Sequence, residues 1–311
     1  MELLNVITKQ YNLKLEKVEL LQDTDDLVYK ITDSYQQYYS AKIQRKQLNR
    51  TNDKLLDLCN WLSFLSKAVS FKFPIPLRNV DRSYQSQIQN ENGTRHNFVV
   101  YRWVDGEPIS KQMNKQNNQR IGALMAELHH ASSRYHRKAP ALARYDEKWL
   151  RSCLSIILNG AKSVGYTTQQ LNKVKHGLRA IEEYLASVGN ETSNFGIIHS
   201  DLHFNNILID SAGSLAVIDF DEAGFGHYWL DIAVTLDEFH DYSEADTMIE
   251  QFIDGYRTVR DIEFDSTTIK LFRGLSATLY ASWVFSPENE WVIATKLDYG
   301  KDALEQIQQI V

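Results

Sequence analysis

The chain has 311 residues, of which 43% are hydrophobic and 24% are charged, and its formal net charge is -6 at pH 7. This length and apolar content predict one large or two packed globular domains and exclude disorder as the main state, while the negative charge argues against a general nucleic-acid binder. No apolar run approaches a membrane span and the N-terminus lacks the layout of a secretory signal, so we expect a soluble, cytoplasmic protein without a membrane partner.

The first hundred residues combine β-rich runs with two helical patterns. A short helix is predicted at 6–11, and leucines from Leu55 to Leu65 predict a longer one that ends before Pro74 and Pro76. The β-rich runs are separated by polar turns, which predicts an antiparallel sheet. These runs are 18–22, 27–32, 38–44, 86–89 and 97–104.

From Gln119 onward the pattern becomes mainly helical. Apolar residues at i, i+3, i+4 and i+7 predict a helix that ends near His129 and His130, where the helix dipole favours histidine. Further helices are predicted at 148–158, 168–187, 245–257 and 266–284. An aromatic-rich region follows the last of them and is interpreted as core or as the lining of a substrate site. Its members are Trp283, Phe285, Trp291 and Tyr299.

The residues that indicate a catalytic activity lie in the segment 196–224. Apolar runs at 207–209 and 215–218 flank a turn-forming stretch, which predicts a β-hairpin. The open ends of a hairpin lie side by side, so Asn206 and Asp219 become neighbours, with Asp201 a few residues upstream. Two hard oxygen ligands and a further carboxylate suit Mg²⁺ that carries substrate phosphates. The predicted reaction is phosphoryl transfer.

Two motifs in this segment resemble a known family. His199-Ser-Asp201-Leu-His-Phe-Asn-Asn206 and Val217-Ile-Asp219-Phe-Asp are similar to the catalytic loop and metal-binding segment of the aminoglycoside phosphotransferase and choline kinase family, relatives of the protein kinases. The resemblance implies an α+β, two-lobed protein-kinase-like fold, with a small antiparallel-sheet N-terminal lobe and a larger, mainly helical C-terminal lobe. It also implies an ATP- and Mg²⁺-dependent kinase that phosphorylates a hydroxyl of a small molecule: an antibiotic, an amino alcohol, homoserine or a sugar.

The resemblance assigns roles to residues of the two motifs. Asp201 would accept the proton of the attacking hydroxyl, and His199 would orient the loop. Asn206 and Asp219 would hold Mg²⁺. Asp231 would tie down the catalytic loop. Asp221 either joins the metal site or is a solvated turn acid.

The N-terminal lobe, residues 1–104, is expected to bind the nucleotide, and residues 105–311 to form the catalytic and substrate-binding lobe. The boundary follows from Asp105-Gly106-Glu107-Pro108, which resembles the segment after which the family's chain crosses between lobes. Lys42 would pair with the nucleotide phosphates, with Asp57 or alternatively Asp53 as its acidic partner.

Two further parts of the nucleotide site are predicted. The first hairpin turn corresponds to the turn that covers the nucleotide phosphates in the family. It contains no glycine, and Thr24 would offer a hydroxyl to the phosphates there. The strand with Val100, Tyr101 and Trp103 would meet adenine through its main chain. We also expect Gly224-Phe-Gly226 to bend over the cleft.

Other functions stay open. A metal-dependent hydrolase would use His199, Asp201 and His203 as ligands, although no third histidine with ligand-like spacing follows. The glycine-free turn is also compatible with a nucleotide-binding pseudokinase or regulatory protein, and some relatives act on proteins. The sequence does not determine the acceptor or the oligomeric state.

Overall fold

The structure is a computed structural model, and it describes residues 2–23, 26–44, 52–89, 93–263, 265–287 and 290–310. The helices are α1 (Glu2–Tyr11), α2 (Asn52–Leu65), α3 (Lys115–Ser133), α4 (Glu147–Ser163), α5 (Thr168–Val188), α6 (Tyr228–Glu238), α7 (Ala245–Arg257), α8 (Ser266–Val284) and α9 (Glu290–Gln308). The strands are β1 (Leu15–Asp23), β2 (Asp26–Asp33), β3 (Tyr38–Gln44), β4 (Gln85–Gln89), β5 (Arg95–Arg102), β6 (Glu107–Pro108), β7 (Ala143–Arg144), β8 (Phe195–Ile198), β9 (Ile207–Ile209), β10 (Leu215–Val217) and β11 (Gly224–His227).

The chain divides into two compact units. Unit 1 comprises residues 1–111, 135–142 and 205–220, and unit 2 comprises residues 112–134, 143–204 and 221–311. The division of function at residue 104 stays a prediction. No helix within the described ranges has the length and apolar character needed to cross a membrane.

Unit 1 is built on the predicted antiparallel sheet. Its strand order is β1-β2-β3-β5-β4, which confirms the sheet expected from the β-rich runs. One face packs its core, which includes Ile31, Ala41 and Phe98, against Ile7 of α1. Successive side chains of a strand point to opposite faces, so Lys42, next to Ala41, lies on the other face. The alternation of the β-rich runs therefore places the predicted phosphate-binding lysine outside this core.

Unit 2 is mainly helical, as predicted for the C-terminal part. Helices α3 and α7 cross where Gly122 faces Phe252 and Gly255 faces Gln119, and a Cβ atom on either glycine would collide with the facing backbone carbonyl. The close approach of the two helices therefore depends on the missing side chains. A large apolar core joins α4, α5, α8 and α9. The antiparallel sheet followed by helices confirms the predicted α+β class.

Two expectations about the C-terminal part are wrong. The segment after α8 contains a further helix, α9, which the aromatic pattern did not reveal. The segment with Gly224 and Gly226 is not a bend, because it forms strand β11 between β7 and β8. A Cβ atom on Gly226 would lie 2.5 Å from Ile198 Cδ1, so this glycine serves close strand packing instead of flexibility.

Candidate active site

The predicted hairpin is confirmed in unit 1. Strands β9 and β10 pair antiparallel, with Val217 opposite Ile207. The Asp210 carboxylate accepts hydrogen bonds from the backbone N–H groups of Ala212 and Ser214, which closes the turn. At the open end, Ile218 N–H donates to the Asn206 carbonyl over 2.9 Å. This bond makes Asn206 and the residue after Ile218 neighbours across the hairpin.

The residue after Ile218 is Asp219, and its carboxylate lies close to the ammonium group of Lys42. The Lys42 Nζ atom lies 3.4 Å from Asp219 Oδ1 and 3.9 Å from Asp26 Oδ2. The Asp219 side chain is 49% exposed, whereas that of Asp26 is only 9% exposed. Asp219 also has a backbone φ of +61°, a left-handed conformation that aspartate tolerates better than most residues. The structure thus brings together two of the predicted site residues that are 177 positions apart.

The donor set of this part of unit 1 fits Mg²⁺. Mg²⁺ prefers oxygen ligands and usually takes only one or two carboxylates, with water and phosphate in the other positions. Asp219 supplies an exposed carboxylate, and Asn206, whose backbone lies across the hairpin end, has an amide oxygen of the type that Mg²⁺ accepts. Lys42 supplies the positive charge that a phosphate chain needs. Among the residues described, no group of three or more His, Cys, Asp or Glu side chains has the geometry to hold a metal ion, as a protein-only site would require.

The remaining nucleotide predictions have different outcomes. Asp57 Oδ2 accepts a hydrogen bond from the backbone N–H of Ala141 over 3.0 Å, and its pairing with Lys42 stays a prediction. Thr24 lies outside the described residues. In strand β5, the Val100 carbonyl accepts a hydrogen bond from Leu77 N–H. Directly after this strand, which ends at Arg102, Trp103 N–H donates to the Tyr38 carbonyl. Those main-chain groups already have partners inside unit 1, so an adenine contact would need other groups of the same segment.

In unit 2, the predicted catalytic loop follows the buried strand β8. The carboxylate of Asp231, on α6, accepts hydrogen bonds from the backbone N–H groups of His199 (2.9 Å) and Ser200 (2.5 Å). Asp231 and His199 are both fully buried. The predicted role of Asp231 in tying down the loop is confirmed. Asp201 N–H points to His199 Nδ1 at 3.3 Å, which is compatible with the orienting role predicted for His199.

His129 also contacts Asp231, and the sequence did not predict this contact. His129 is fully buried, with Nε2 3.1 Å from Asp231 Oδ2 and Nδ1 2.9 Å from the Tyr256 hydroxyl. Burial lowers the pKa of His129, against the opposing effect of its hydrogen bond to Asp231. An ionised carboxylate only accepts hydrogen bonds, so a neutral ring must donate from Nε2 and accept from Tyr256 at Nδ1. The helix-end interpretation of His129 is therefore wrong.

Ser200 is held in a strained position next to Asp201. Its φ is +65°, which is unfavourable for a residue with a Cβ atom. Its hydroxyl donates to the Glu222 carbonyl over 2.6 Å, and the hydroxyl of the buried Tyr145 donates to the same carbonyl over 2.6 Å. Burial and the charge of Glu222 raise the pKa of Tyr145. These bonds and the Asp231 anchor fix the turn from which Asp201 projects.

The surroundings of the Asp201 side chain include His203 and Tyr280. His203 Nε2 lies 3.6 Å from Asp201 Oδ2, and both side chains are partly exposed. On α8, burial and the charge of Asp201 raise the pKa of Tyr280. Of the C-terminal aromatic residues, Phe285 belongs to the core, whereas Trp283 is 41% and Tyr299 60% exposed. The side chain of Trp291 lies outside the described residues.

A family model described as "Phosphotransferase enzyme family" matches residues 18–266 of the sequence. The chain belongs to this family. The resemblance of its motifs to aminoglycoside phosphotransferases and choline kinases is thereby confirmed. Among curated relatives of the phosphotransferase family, the amicoumacin kinase of Bacillus subtilis (strain 168) is 23% identical over 229 residues. That match covers 73% of this chain but only 64% of the relative's length.

Solved structures show the same fold. An amicoumacin kinase in complex with AMP-PNP, Ca²⁺ and Ami superimposes with a TM-score of 0.78 at 20% identity, covering 99% of this chain and 96% of the other. A microcompartment-associated aminopropanol kinase also gives a TM-score of 0.78, at 21% identity, with 97% and 95% coverage. The predicted protein-kinase-like fold class is confirmed.

Proposed function

We propose that the protein is an ATP- and Mg²⁺-dependent kinase that transfers the γ-phosphoryl group to a hydroxyl of a small molecule. The observation that carries the proposal is the Lys42–Asp219 pair at the open end of the β9–β10 hairpin. A cation suited to phosphate and a carboxylate suited to Mg²⁺ stand 3.4 Å apart in a chain of the phosphotransferase family. Phosphoryl transfer depends mainly on such positioning and charge neutralisation.

In unit 1, we assign Asn206 and Asp219 to Mg²⁺ and Lys42 to the phosphates of ATP. Mg²⁺ held by Asn206 and Asp219 would supply positive charge against the negative charge of the phosphates during transfer. The exposure of Asp219 supports its assignment, because a carboxylate that is open to solvent can exchange water for a metal ion. The proposed nucleotide site also includes Thr24 at the first turn and Asp57 as a partner of Lys42. The segment with Val100, Tyr101 and Trp103 would lie beside the adenine base.

In unit 2, we assign Asp201 as the general base and His199 as the residue that orients the loop. The acceptor oxygen attacks the γ-phosphorus, the bond to the β–γ bridging oxygen breaks, and ADP leaves. The proton of the acceptor hydroxyl passes to the Asp201 carboxylate. Support comes from the loop itself, because its backbone is anchored on both sides of Asp201 while the Asp201 side chain remains 32% exposed.

A small acceptor is favoured by the proteins of the same fold. Two of them act, according to their names, on amicoumacin and aminopropanol, which are small molecules. On α8, Trp283 is 41% exposed and offers aromatic surface to such a molecule. We include a cytoplasmic location in the proposal because ATP is the phosphoryl donor, and we propose no nucleic-acid or membrane partner.

A screen for acceptor-dependent ADP release tests the proposal. Purified protein is incubated with Mg·ATP and a panel of amino alcohols, aminoglycosides, homoserine and sugars, and the product mass is checked for one added phosphoryl group. The expected result is ADP release that rises with one acceptor class and is absent in Asp201→Asn. Binding of Mg·AMP-PNP without any acceptor-dependent release would overturn the kinase assignment in favour of the pseudokinase alternative.

A further inference from the structure

Helix α6 contains three acidic residues and one threonine, and one of the acids, Asp237, accepts a hydrogen bond from Arg273. The other three residues share a different arrangement. Asp231, Thr235 and Glu238 stand at positions i, i+4 and i+7, and this spacing places all three on one face of the helix. The intervening apolar residues are buried, so the helix is fixed in the core of unit 2. These residues are Ile232, Ala233, Val234 and Leu236. The polar face therefore has a fixed position.

The whole polar face binds the catalytic loop through its backbone. Asp231 accepts the N–H groups of His199 and Ser200. The Thr235 hydroxyl, itself fully buried, donates to the carbonyl of Leu202 over 2.6 Å. Glu238 Oε2 accepts the N–H of Phe204 over 3.2 Å. Contacts with a single helix thus fix the loop on the N-terminal and the C-terminal side of Asp201.

Two of the bonds made by the backbone of Asp201 lie within the loop. Its N–H points to His199 Nδ1, and its carbonyl accepts the N–H of His203 over 3.0 Å. Both of these partners lie in the loop, so they move with it. The contacts of Leu202 and Phe204, together with those of Asp231, hold the loop that carries Asp201 against helix α6.

We propose that helix α6 is a template for the catalytic loop, in which Thr235 and Glu238 are positioning residues for the proton transfer to Asp201. The proposal rests on the proposed role of Asp201 as general base. A displacement of about 1 Å of a catalytic group costs up to about 100-fold in rate. Losing either contact releases the C-terminal half of the loop, while the Asp231 anchor keeps the loop folded.

Paired variants separate positioning from simple loss of stability. Thr235→Val removes only the hydroxyl that meets Leu202, and Glu238→Ala removes the acceptor for Phe204. Glu238→Gln keeps an acceptor oxygen and removes the charge. Thr278→Val is the matched control, because Thr278 is also fully buried but donates to Gly274 within its own helix over 2.7 Å.

The expected result is a fall in kcat of about 10- to 100-fold for Thr235→Val and Glu238→Ala, with KM for ATP unchanged. Glu238→Gln restores kcat, and Thr278→Val retains it. A wild-type kcat in Thr235→Val and Glu238→Ala would overturn the proposal. So would an equal fall in Thr278→Val, since the effect would then reflect stability alone.

Hydrogen exchange of the loop amides keeps this test distinct from the test of function. The amides of residues 202–204 should exchange faster in Thr235→Val than in Thr278→Val, whether or not an acceptor has been found. Unchanged exchange would overturn the template even if the protein is a kinase. If exchange is faster but no acceptor is phosphorylated, the result supports the template and contradicts only the kinase assignment.

Discussion

Asp219 and Asp231 are both acids of the phosphotransferase motifs, but the protein treats them differently. Asp231 is fully buried and receives hydrogen bonds from two backbone N–H groups and from His129. Asp219 is about half exposed and faces the single positive charge of Lys42. An acid whose acceptor sites are filled by the protein holds the fold, whereas an acid left open beside a cation is available to a ligand. Substitutions in the two regions should therefore change different measured quantities.

The largest effect is expected at Asp201, which belongs to the anchored loop but keeps an open carboxylate. Asp201→Ala should lower kcat by about 1,000-fold, because the attacking hydroxyl loses its base. Calorimetric titration with Mg·AMP-PNP should give wild-type affinity. Asp201→Asn, which keeps the shape but not the basicity, should be equally slow. Wild-type turnover in the Asn variant would show that another group takes the proton.

Asp231→Ala should mainly affect stability. Three buried donors lose their acceptor, and we expect the free energy of unfolding to fall by about 3–4 kcal/mol. Urea unfolding curves measure this change. Asp219→Asn is the control, because its open carboxylate contributes no such buried contacts. Equal stability of the two variants would remove the distinction between the two acids.

Asp219→Asn should mainly affect ligand binding. Asparagine also tolerates a positive φ, so the backbone of the hairpin end is preserved. Loss of the carboxylate should weaken the binding of Mg·AMP-PNP by about 100-fold, as judged from the 10- to 100-fold cost of losing even an indirect metal contact. Titration calorimetry with and without Mg²⁺ gives the value. If affinity were retained, Asp219 would not be a metal ligand.

The smallest effect on stability is expected from a buried histidine whose ring has, within the described part of the chain, an unfilled hydrogen-bonding position. His227 is buried, and its Nε2 atom has no hydrogen-bond partner among the residues that the structure describes. Burial, with the charge of Arg144, lowers the pKa of His227 to about 4. The unfolded chain therefore binds a proton below about pH 6.5 that the folded protein binds only near pH 4.

Stability should consequently fall as the pH is lowered from about 6.5 to 4, and His227 should account for about 2 kcal/mol of that loss. Urea unfolding at a series of pH values tests this expectation. His129 acts in the same direction, so the wild-type curve reports both groups. In His227→Phe, the free energy of unfolding should fall less over this pH range than in the wild type, and the difference should equal the contribution of His227. A variant curve parallel to that of the wild type would contradict the assignment.

The sequence predicted the parts of the site that depend on neighbouring residues. The β9–β10 hairpin follows from two apolar runs and a turn, so the closeness of Asn206 and Asp219 was readable. The contact of His129 with Asp231 joins residues 102 positions apart, and no local pattern reports such a partner. The face of Thr235 and Glu238 did leave a signal, because polar residues at i, i+4 and i+7 interrupt an apolar helix.

The fold shows the same limit. Strands β7, β8 and β11 have only two to four residues each, too few for alternation to be recognised. Gly226 was interpreted as a hinge because sequence alone does not reveal what faces a glycine. The Ile198 side chain that faces it comes from another strand. Packing partners from distant segments decide both cases.

The two acids beside Lys42 have a consequence for the order in which the donor components bind. The Lys42 ammonium group lies 3.9 Å from the carboxylate of Asp26 and 3.4 Å from that of Asp219. A divalent cation at Asp219 would compensate this carboxylate and leave Lys42 to an incoming anion, so Mg·ATP should bind more tightly than metal-free ATP. The enzyme would then discriminate against uncomplexed nucleotide before any contact with the base is made.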